Sequence, residues 1–509
     1  MRRILNLGFG ECTMGGLYDV IIIGGGASGL AAAVSASSNG LSAIVVEKER
    51  TIGGTTLYAI GSITAGVTEL QKQKGIYDST EEFLADLELS VRERNLTGKN
   101  DHAFLKLYSE ESGKTVDWLS KLGVVFYGPS METPHRVPRM HNAIPNSYSY
   151  IYALEKKARK LGTDFLTSFV TEGLITENGY GVKGIKGIAN DGNHIEILSR
   201  LGVVIATGPF SSNAELKRKL VPRSERIRGL NPAATGDGIF FGIELGASVL
   251  NADIETAQMR FKGHTAKSST RFLTRWPFPR IMLWGTNVFP KALIKTIVKL
   301  ASTHTSPSDV VFRKGAILVD ENGKLVYSQY SSKGSVVEVA SESGGGNFFA
   351  VFNEHVAENL RKWPDFISTF PGIAYAYLQD YKKYRKDIFH NSDSLETLAL
   401  WLGMNQDNLR ESVLVLERID VEGHGKVING DEKTGFYALG PMSPVITVTQ
   451  GGLEIGHDLQ VKKADGTPID GLYAIGDSSA GPLYVSHGMH LGWAFTSGRL
   501  VGETLARRN

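Results

Sequence analysis

Short apolar runs alternate with stretches in which apolar positions recur every three or four residues, and this alternation runs along most of the chain. It is the pattern of an α/β protein in which strands and helices take turns. The pattern is sharpest between Tyr18 and Glu47, YDVIIIGGGASGLAAAVSASSNGLSAIVVE. Val20 to Ile23 predicts a buried strand, the Ala-rich stretch a helix, and the apolar run ending at Glu47 a second strand. Glu81 to Leu122 predicts two amphipathic helices. Asp164 to Ile197 predicts a small antiparallel meander turned at Asn-Gly and Asp-Gly. Tyr148, Tyr150 and Tyr152 alternate as a packed strand face would. Gly315 to Lys324 predicts a hairpin, Leu395 to Arg418 a helical region, and the last helix begins near Gly488 or His490.

The turn inside the first unit is Gly24-x-Gly26-x-x-Gly29, with Ala27 and Ser28 between its last two glycines. Strand, glycine turn, helix and a following acid form the dinucleotide-binding fingerprint in its required context. Gly24 permits the tight turn, Gly26 lets a pyrophosphate approach the backbone, and Gly29 lets the helix pack on the strand. The helix N-terminus offers free N–H groups and partial positive charge to phosphates. Glu47, followed by Lys48, can accept hydrogen bonds from both ribose hydroxyls.

A second stretch fits the same ligand. Gly471-Leu-Tyr-Ala-Ile-Gly476-Asp477 reads as a short buried strand ending in an acid. It resembles the strand of flavoproteins with two dinucleotide folds, whose Asp binds the ribityl chain of FAD. Val203-Val-Ile-Ala206-Thr207-Gly208 and Thr235-Gly-Asp237-Gly238 resemble motifs of the fumarate reductase and succinate dehydrogenase flavoprotein superfamily, as does Gly53-Gly54-Thr55-Thr56. The resemblance covers nearly the whole chain from Tyr18. It implies a Rossmann-like FAD-binding domain with an inserted α+β cap domain that holds substrate against the flavin. It also places Val170 near the adenine and Leu491 beside the flavin. Residues 1–17 are then a flexible extension, 18–258 and 443–509 the two parts of the FAD domain, and 259–442 the cap. The region after Gly54, where relatives with covalent flavin carry a histidine, has none here, so FAD is expected to be non-covalent.

The superfamily leaves the substrate open. Fumarate reductases and succinate dehydrogenases clamp a dicarboxylate with arginines and a histidine. Their His-Thr-x-Gly-Gly corresponds to Val448-Thr449-Gln450-Gly451-Gly452, and their Asn-Arg-Leu-Gly-Gly to Met489-His490-Leu491-Gly492-Trp493. Two clamping groups are thus replaced, by Val448 and His490. The segment Tyr484-Val-Ser-His487-Gly488-Met-His490-Leu-Gly492 resembles 3-ketosteroid dehydrogenases without gaps. That likeness implies Tyr484 and Gly488 as donors to a ketone oxygen, with Ser486 and His487 as departures that narrow the pocket or donate protons. It also points to Tyr330, or Lys333, as the cap base. Arg139 and His141, in the basic loop Pro134 to His141, are candidates to bind an acidic substrate group, as is His487. The expected activity is therefore oxidoreduction of a carbon–carbon bond beside a carbonyl, on a ketosteroid or cyclic ketone. The alternatives are reduction of an unsaturated carboxylate and service as a flavin electron-transfer subunit.

Composition narrows the picture little. Hydrophobic residues make up 42% and charged residues 21% of 509, ordinary for a globular protein of two domains. A net charge of +2 gives no nucleic-acid signal. Cys12 is the single cysteine, so no intrachain disulfide forms and no Cys/His metal cluster is expected. No apolar run is long enough to span a membrane, and a cytoplasmic location is expected. Lys291, Lys295 and Lys299 share one helical face beside Trp276, Phe278 and Trp284, so residues 276–300 can lie on a membrane surface. A small-molecule substrate and an unidentified electron acceptor are the expected partners, and oligomeric state is open.

Overall fold

The computed structural model describes residues 13–99, 102–132, 135–177, 181–262, 271–275, 277–288, 302–303, 306–330, 332–344, 346–370, 374–422 and 435–509. The fingerprint forms as its pattern requires. Strand Thr13–Ile23 enters helix Ala27–Ser38, and strand Ala43–Glu47 returns beside it in parallel register. Gly24 has φ 110° and Gly26 opens the helix without a side-chain cap. A Cβ on Gly29 would collide with the Gly24 carbonyl, which is the close helix–strand packing that glycine provides.

A parallel sheet is ordered Pro468–Ala474, His194–Ile205, Thr13–Ile23, Ala43–Glu47 and Asp164–Thr167. The strands carry continuous apolar runs because both faces are covered. The C-terminal helix Met489–Arg507 packs along the fingerprint helix, where Gly498 and Gly502 leave no room for a Cβ. Strands Val170–Glu177, Gly181–Ile188 and His194–Ile205 form the expected antiparallel meander. Its predicted first strand, Asp164–Thr167, instead joins the parallel edge beside Ala43–Glu47.

A second sheet is built on the long strand Phe436–Thr449, which pairs with Glu255–Phe261, Phe348–Asn353, Phe389–Ser392 and Arg228–Gly229. The apolar residues separate accordingly. One cluster surrounds the parallel sheet, another runs from Met259 to Met442 on one face of the second sheet, and a third, with Ile317, Val351 and Leu398, covers that sheet's other face. The cap limits drawn from composition, 259 and 442, fall inside paired strands: Met259 faces Pro444 and Phe261 faces Met442.

Several local expectations need correction. Residues 13–17 are not a loose extension, since Thr13, Met14 and Leu17 pair with Ile195, Glu196 and Leu198. Tyr148–Lys160 is a helix, not a strand; Tyr150 is sealed in the core while Tyr148 and Tyr152 are half-buried, so the alternation was coincidental. Leu395–Leu402 and Gln406–Glu422 are two helices separated at Gly403, which takes φ 70°. Helix Phe278–Val288 exposes Phe278, Ile281 and Trp284. Trp276, Lys291, Lys295 and Lys299 lie outside the described residues. Among the described residues, no helix is long and apolar enough to cross a membrane.

Candidate active site

A cavity of about 660 Å³ runs from the fingerprint turn to the base of the second sheet. Its first wall comes from Gly24, Gly26, Ala27 and Ser28, where the glycine turn brings backbone N–H groups to the surface. Glu47 lies in this wall almost fully buried. Its Oε2 accepts a hydrogen bond from the Gly25 N–H at 2.8 Å, and Oε1 accepts from the Glu49 N–H at 2.9 Å. The acid thus braces the glycine turn as well as facing the cavity. Lys48 spans to the opposite side, 2.8 Å from Asp237 Oδ2, and donates to Thr235 Oγ1. Gly54, Thr55 and Thr56 continue the wall, with Thr56 Oγ1 accepting from the Ala27 N–H at 3.2 Å. Val170, Ala206, Thr207, Gly208, Asp477 and Leu491 line it too. Gly29 and Gly476 stand behind it, Gly476 donating its N–H to Ser497 Oγ.

The far end is built by the segment entering the last helix. Gly488 caps that helix at φ 80°, a left-handed turn that suits glycine, and a Cβ there would press on the backbone of Ser62, Ile63 and Thr64. Tyr484, Ser486, His487, Gly488 and His490 all line the cavity. The Tyr484 hydroxyl donates to Asp477 Oδ1 at 2.8 Å. Burial raises the Asp477 carboxyl to about 6, although the Tyr484 hydrogen bond pulls the other way. Burial also raises the Tyr484 hydroxyl well above its ordinary range, and the Asp477 charge adds to this. Burial lowers His490 to about 4, keeping it neutral at pH 7.

The opposing wall was not anticipated. Thr256, Gln258 and Arg260 alternate along strand Glu255–Phe261 and face the cavity, while Met259 on the other face enters the cap core. Thr447 and Val448 from the paired strand complete this wall. Arg260 makes no hydrogen bond or ion pair with any described residue, and burial alone depresses its guanidinium. The sequence signal was present: polar Thr256, Gln258 and Arg260 alternate with apolar Ala257, Met259 and Phe261.

Three other candidates are not brought here. Tyr330 is 60% exposed and lies outside the cavity lining, at the end of a surface hairpin. Arg139 is sealed, its guanidinium 2.5 Å from both Asp78 Oδ1 and Asp86 Oδ2, and these pairs outweigh burial in holding it charged. Its fork is therefore committed to protein carboxylates. His141 is also sealed, with Nε2 3.0 Å from Thr68 Oγ1 and Nδ1 2.8 Å from the Arg139 carbonyl. Burial lowers it to about 4. Arg139 and His141 therefore serve the fold, while Arg136 stays exposed and reaches back to Asp86.

The residues present fit FAD. A Cβ on Gly26 would project into the cavity with nothing nearer than the Gly53 carbonyl at 4.0 Å, which is the space a pyrophosphate needs. Glu47, buried, and Asp477, half-buried, both line the trough and suit ribose and ribityl hydroxyls. Among the described residues no group of His, Cys, Asp or Glu could hold a metal ion.

Comparison with known proteins agrees. The sequence matches the family described as FAD binding domain over residues 19–275 and 294–490. An NADH:fumarate oxidoreductase of Klebsiella pneumoniae (strain 342) is 25% identical over 505 residues. The match takes in 96% of this chain and 47% of that protein, so the chain spans about half its length. The open conformation of a flavocytochrome c3 fumarate reductase is similar in fold, with a TM-score of 0.73 at 20% identity, covering 97% of this chain and 79% of that one. The 3-ketosteroid delta1-dehydrogenase from Sterolibacterium denitrificans is also similar in fold, with a TM-score of 0.66 at 18% identity, covering 97% of this chain and 100% of that one.

Proposed function

The chain belongs to the FAD binding domain family and is an FAD-dependent oxidoreductase, and from that premise we propose that it reduces a carbon–carbon double bond conjugated to a carboxylate. Arg260 carries this reading. A guanidinium in a cavity wall, with no carboxylate partner among the described residues, is costly unless an anion completes it. Val448 and the neutral His490 add no positive charge beside Arg260. Bound FAD supplies the hydride chemistry. The protein's part is to hold the acid at Arg260 and lay the conjugated bond toward the last helix, whose free N–H groups favour negative charge.

The test is reoxidation of the photoreduced enzyme, without oxygen, by a panel of 2-enoic acids and of neutral enones. Acids should reoxidise it, and Arg260→Gln should raise their KM by roughly 10- to 100-fold, the worth of a charge-assisted pair. Reoxidation by neutral enones with Arg260→Gln silent overturns the reading. That outcome would favour a second one, resting on Tyr484 and Gly488, which both line the cavity. There the substrate is a cyclic ketone whose oxygen the pair holds, and Tyr484 must first leave Asp477. Reoxidation by no small molecule would favour an electron-transfer subunit.

A further inference from the structure

Hydride delivery to a double bond must be matched by a proton, and the cap offers no described acid in the cavity, since Tyr330 stands outside it. Along the opposite wall are two polar atoms that no described residue satisfies. His487 Nδ1 and Glu132 Oε2 are both buried without a hydrogen-bond partner. They belong to side chains in near contact, with His487 Nδ1 3.5 Å from Glu132 Oε1. His487 lines the cavity and keeps 36% of its side chain open, whereas Glu132 is 19% exposed and does not line it. The imidazole therefore stands between the cavity and a buried carboxyl. Unsatisfied buried polar atoms are costly in a folded protein and tend to mark a function.

We propose that Glu132 and His487 are a proton relay for the reaction, His487 delivering the proton into the cavity and Glu132 replacing it from behind. The inference rests on the reading that a double bond is saturated, but not on Arg260 or on a particular substrate. His487 begins as the neutral tautomer with its proton on Nε2, and Glu132 begins as the acid. As hydride from the reduced cofactor forms one new C–H bond, the π electron pair takes the Nε2 proton and forms the other. The Glu132 proton moves to Nδ1, leaving His487 as the neutral Nδ1–H tautomer and Glu132 a carboxylate, and return of the Nδ1 proton to Glu132 with uptake of one solvent proton at Nε2 from the cavity resets the pair. One hydride and one proton enter the substrate, and no charge is left on the ring.

The surroundings favour these starting states. Burial raises Glu132 to about 7 and lowers His487 below its ordinary value, so the uncharged pair is preferred near neutrality. The other titratable groups nearby are settled. His490, on the last helix, is neutral; His135 is lowered to about 4 by burial and then by Arg139, and meets Ser486 Oγ at 2.6 Å. Arg139 is matched by Asp78 and Asp86, and Asp477 by Tyr484. Thr64 Oγ1 donates to the His487 carbonyl at 2.6 Å, which fixes the backbone that carries the ring.

Infrared titration of the oxidised, FAD-loaded enzyme tests the pair without any substrate. A carboxylic-acid carbonyl band should disappear as pH rises through about 7, be missing in Glu132→Gln, and shift its midpoint in His487→Phe. A carboxylate already ionised at pH 5, or a band indifferent to both variants, overturns the relay whatever the substrate is. With a substrate from the panel, reduction should slow as pH rises through the same midpoint. Glu132→Gln and His487→Phe should each cost roughly 100-fold in kcat, the low end for general acid catalysis, with little change in KM. Variants that stay yellow and folded yet keep the wild-type pH profile would also overturn it. Failure of the whole panel with the band as expected would count against the substrate reading alone.

Discussion

The hydroxyl of Tyr484 donates to Oδ1 of Asp477 at 2.8 Å, joining a residue expected to face substrate to one expected to hold the cofactor. Tyr484→Phe separates these roles. On the carboxylate reading turnover should change less than about tenfold, because the hydroxyl is engaged by Asp477 and Arg260 holds the acid, whereas a loss of roughly 100-fold or more with FAD retained, the usual worth of one oxyanion-type donor, would favour the ketone reading. A mutant that turns over normally but purifies with less FAD would make the hydroxyl a support for Asp477 alone.

Glu47→Ala should weaken FAD binding by about 1–3 kcal/mol per charged hydrogen bond lost. The loss should exceed that of a simple ribose contact, because Gly25 and Glu49 lose their acceptor as well. Flavin release followed by fluorescence measures it.

FAD should leave the protein on acid or heat treatment. No histidine occurs between Thr55 and Gly66 to form a covalent link. Yellow colour remaining with the precipitate would contradict this.

Arg139→Ala should destabilise the fold by about 3–5 kcal/mol, the cost of stranding a buried partner. Two carboxylates, Asp78 and Asp86, would lose their counter-charge, although Arg136 still reaches Asp86. Chemical denaturation gives the number. Loss of substrate affinity at unchanged stability would return Arg139 to the site.

Stability should fall at mildly acid pH through His141. Its folded value of about 4 lies below the ordinary 6.5, so its contribution is complete above 6.5 and is lost as pH falls toward 4. The loss over that window is on the order of 3 kcal/mol. Asp477 and Glu132 act with opposite sign, since their raised values favour the acid form in the folded state. The thermal midpoint of His141→Gln, lower overall, should therefore fall less steeply than wild type between about pH 7 and pH 5.

The cofactor end was legible in the sequence because its determinants are local. The turn at Gly24 and Gly26 needs particular backbone freedom at a fixed spacing, and Glu47 follows one helix and one strand later. The alternation of apolar runs likewise announced the parallel sheet, whose strands are covered on both faces. Those features depend on chain geometry within one βαβ unit, which is why they survive as a motif.

The substrate end was decided by tertiary structure. Arg260 faces the cavity because strand Glu255–Phe261 pairs with Phe436–Thr449, far along the chain. His487 meets Glu132 only when the segment entering the last helix packs on Ser62–Thr64, whose sheet also carries the strand Phe126–Ser130 that leads to Glu132. Arg139 and His141 looked like a basic surface loop until Asp78, Asp86 and Thr68 closed around them. A charged side chain serves substrate or structure according to what folds against it, and spacing along the chain carries no record of that partner.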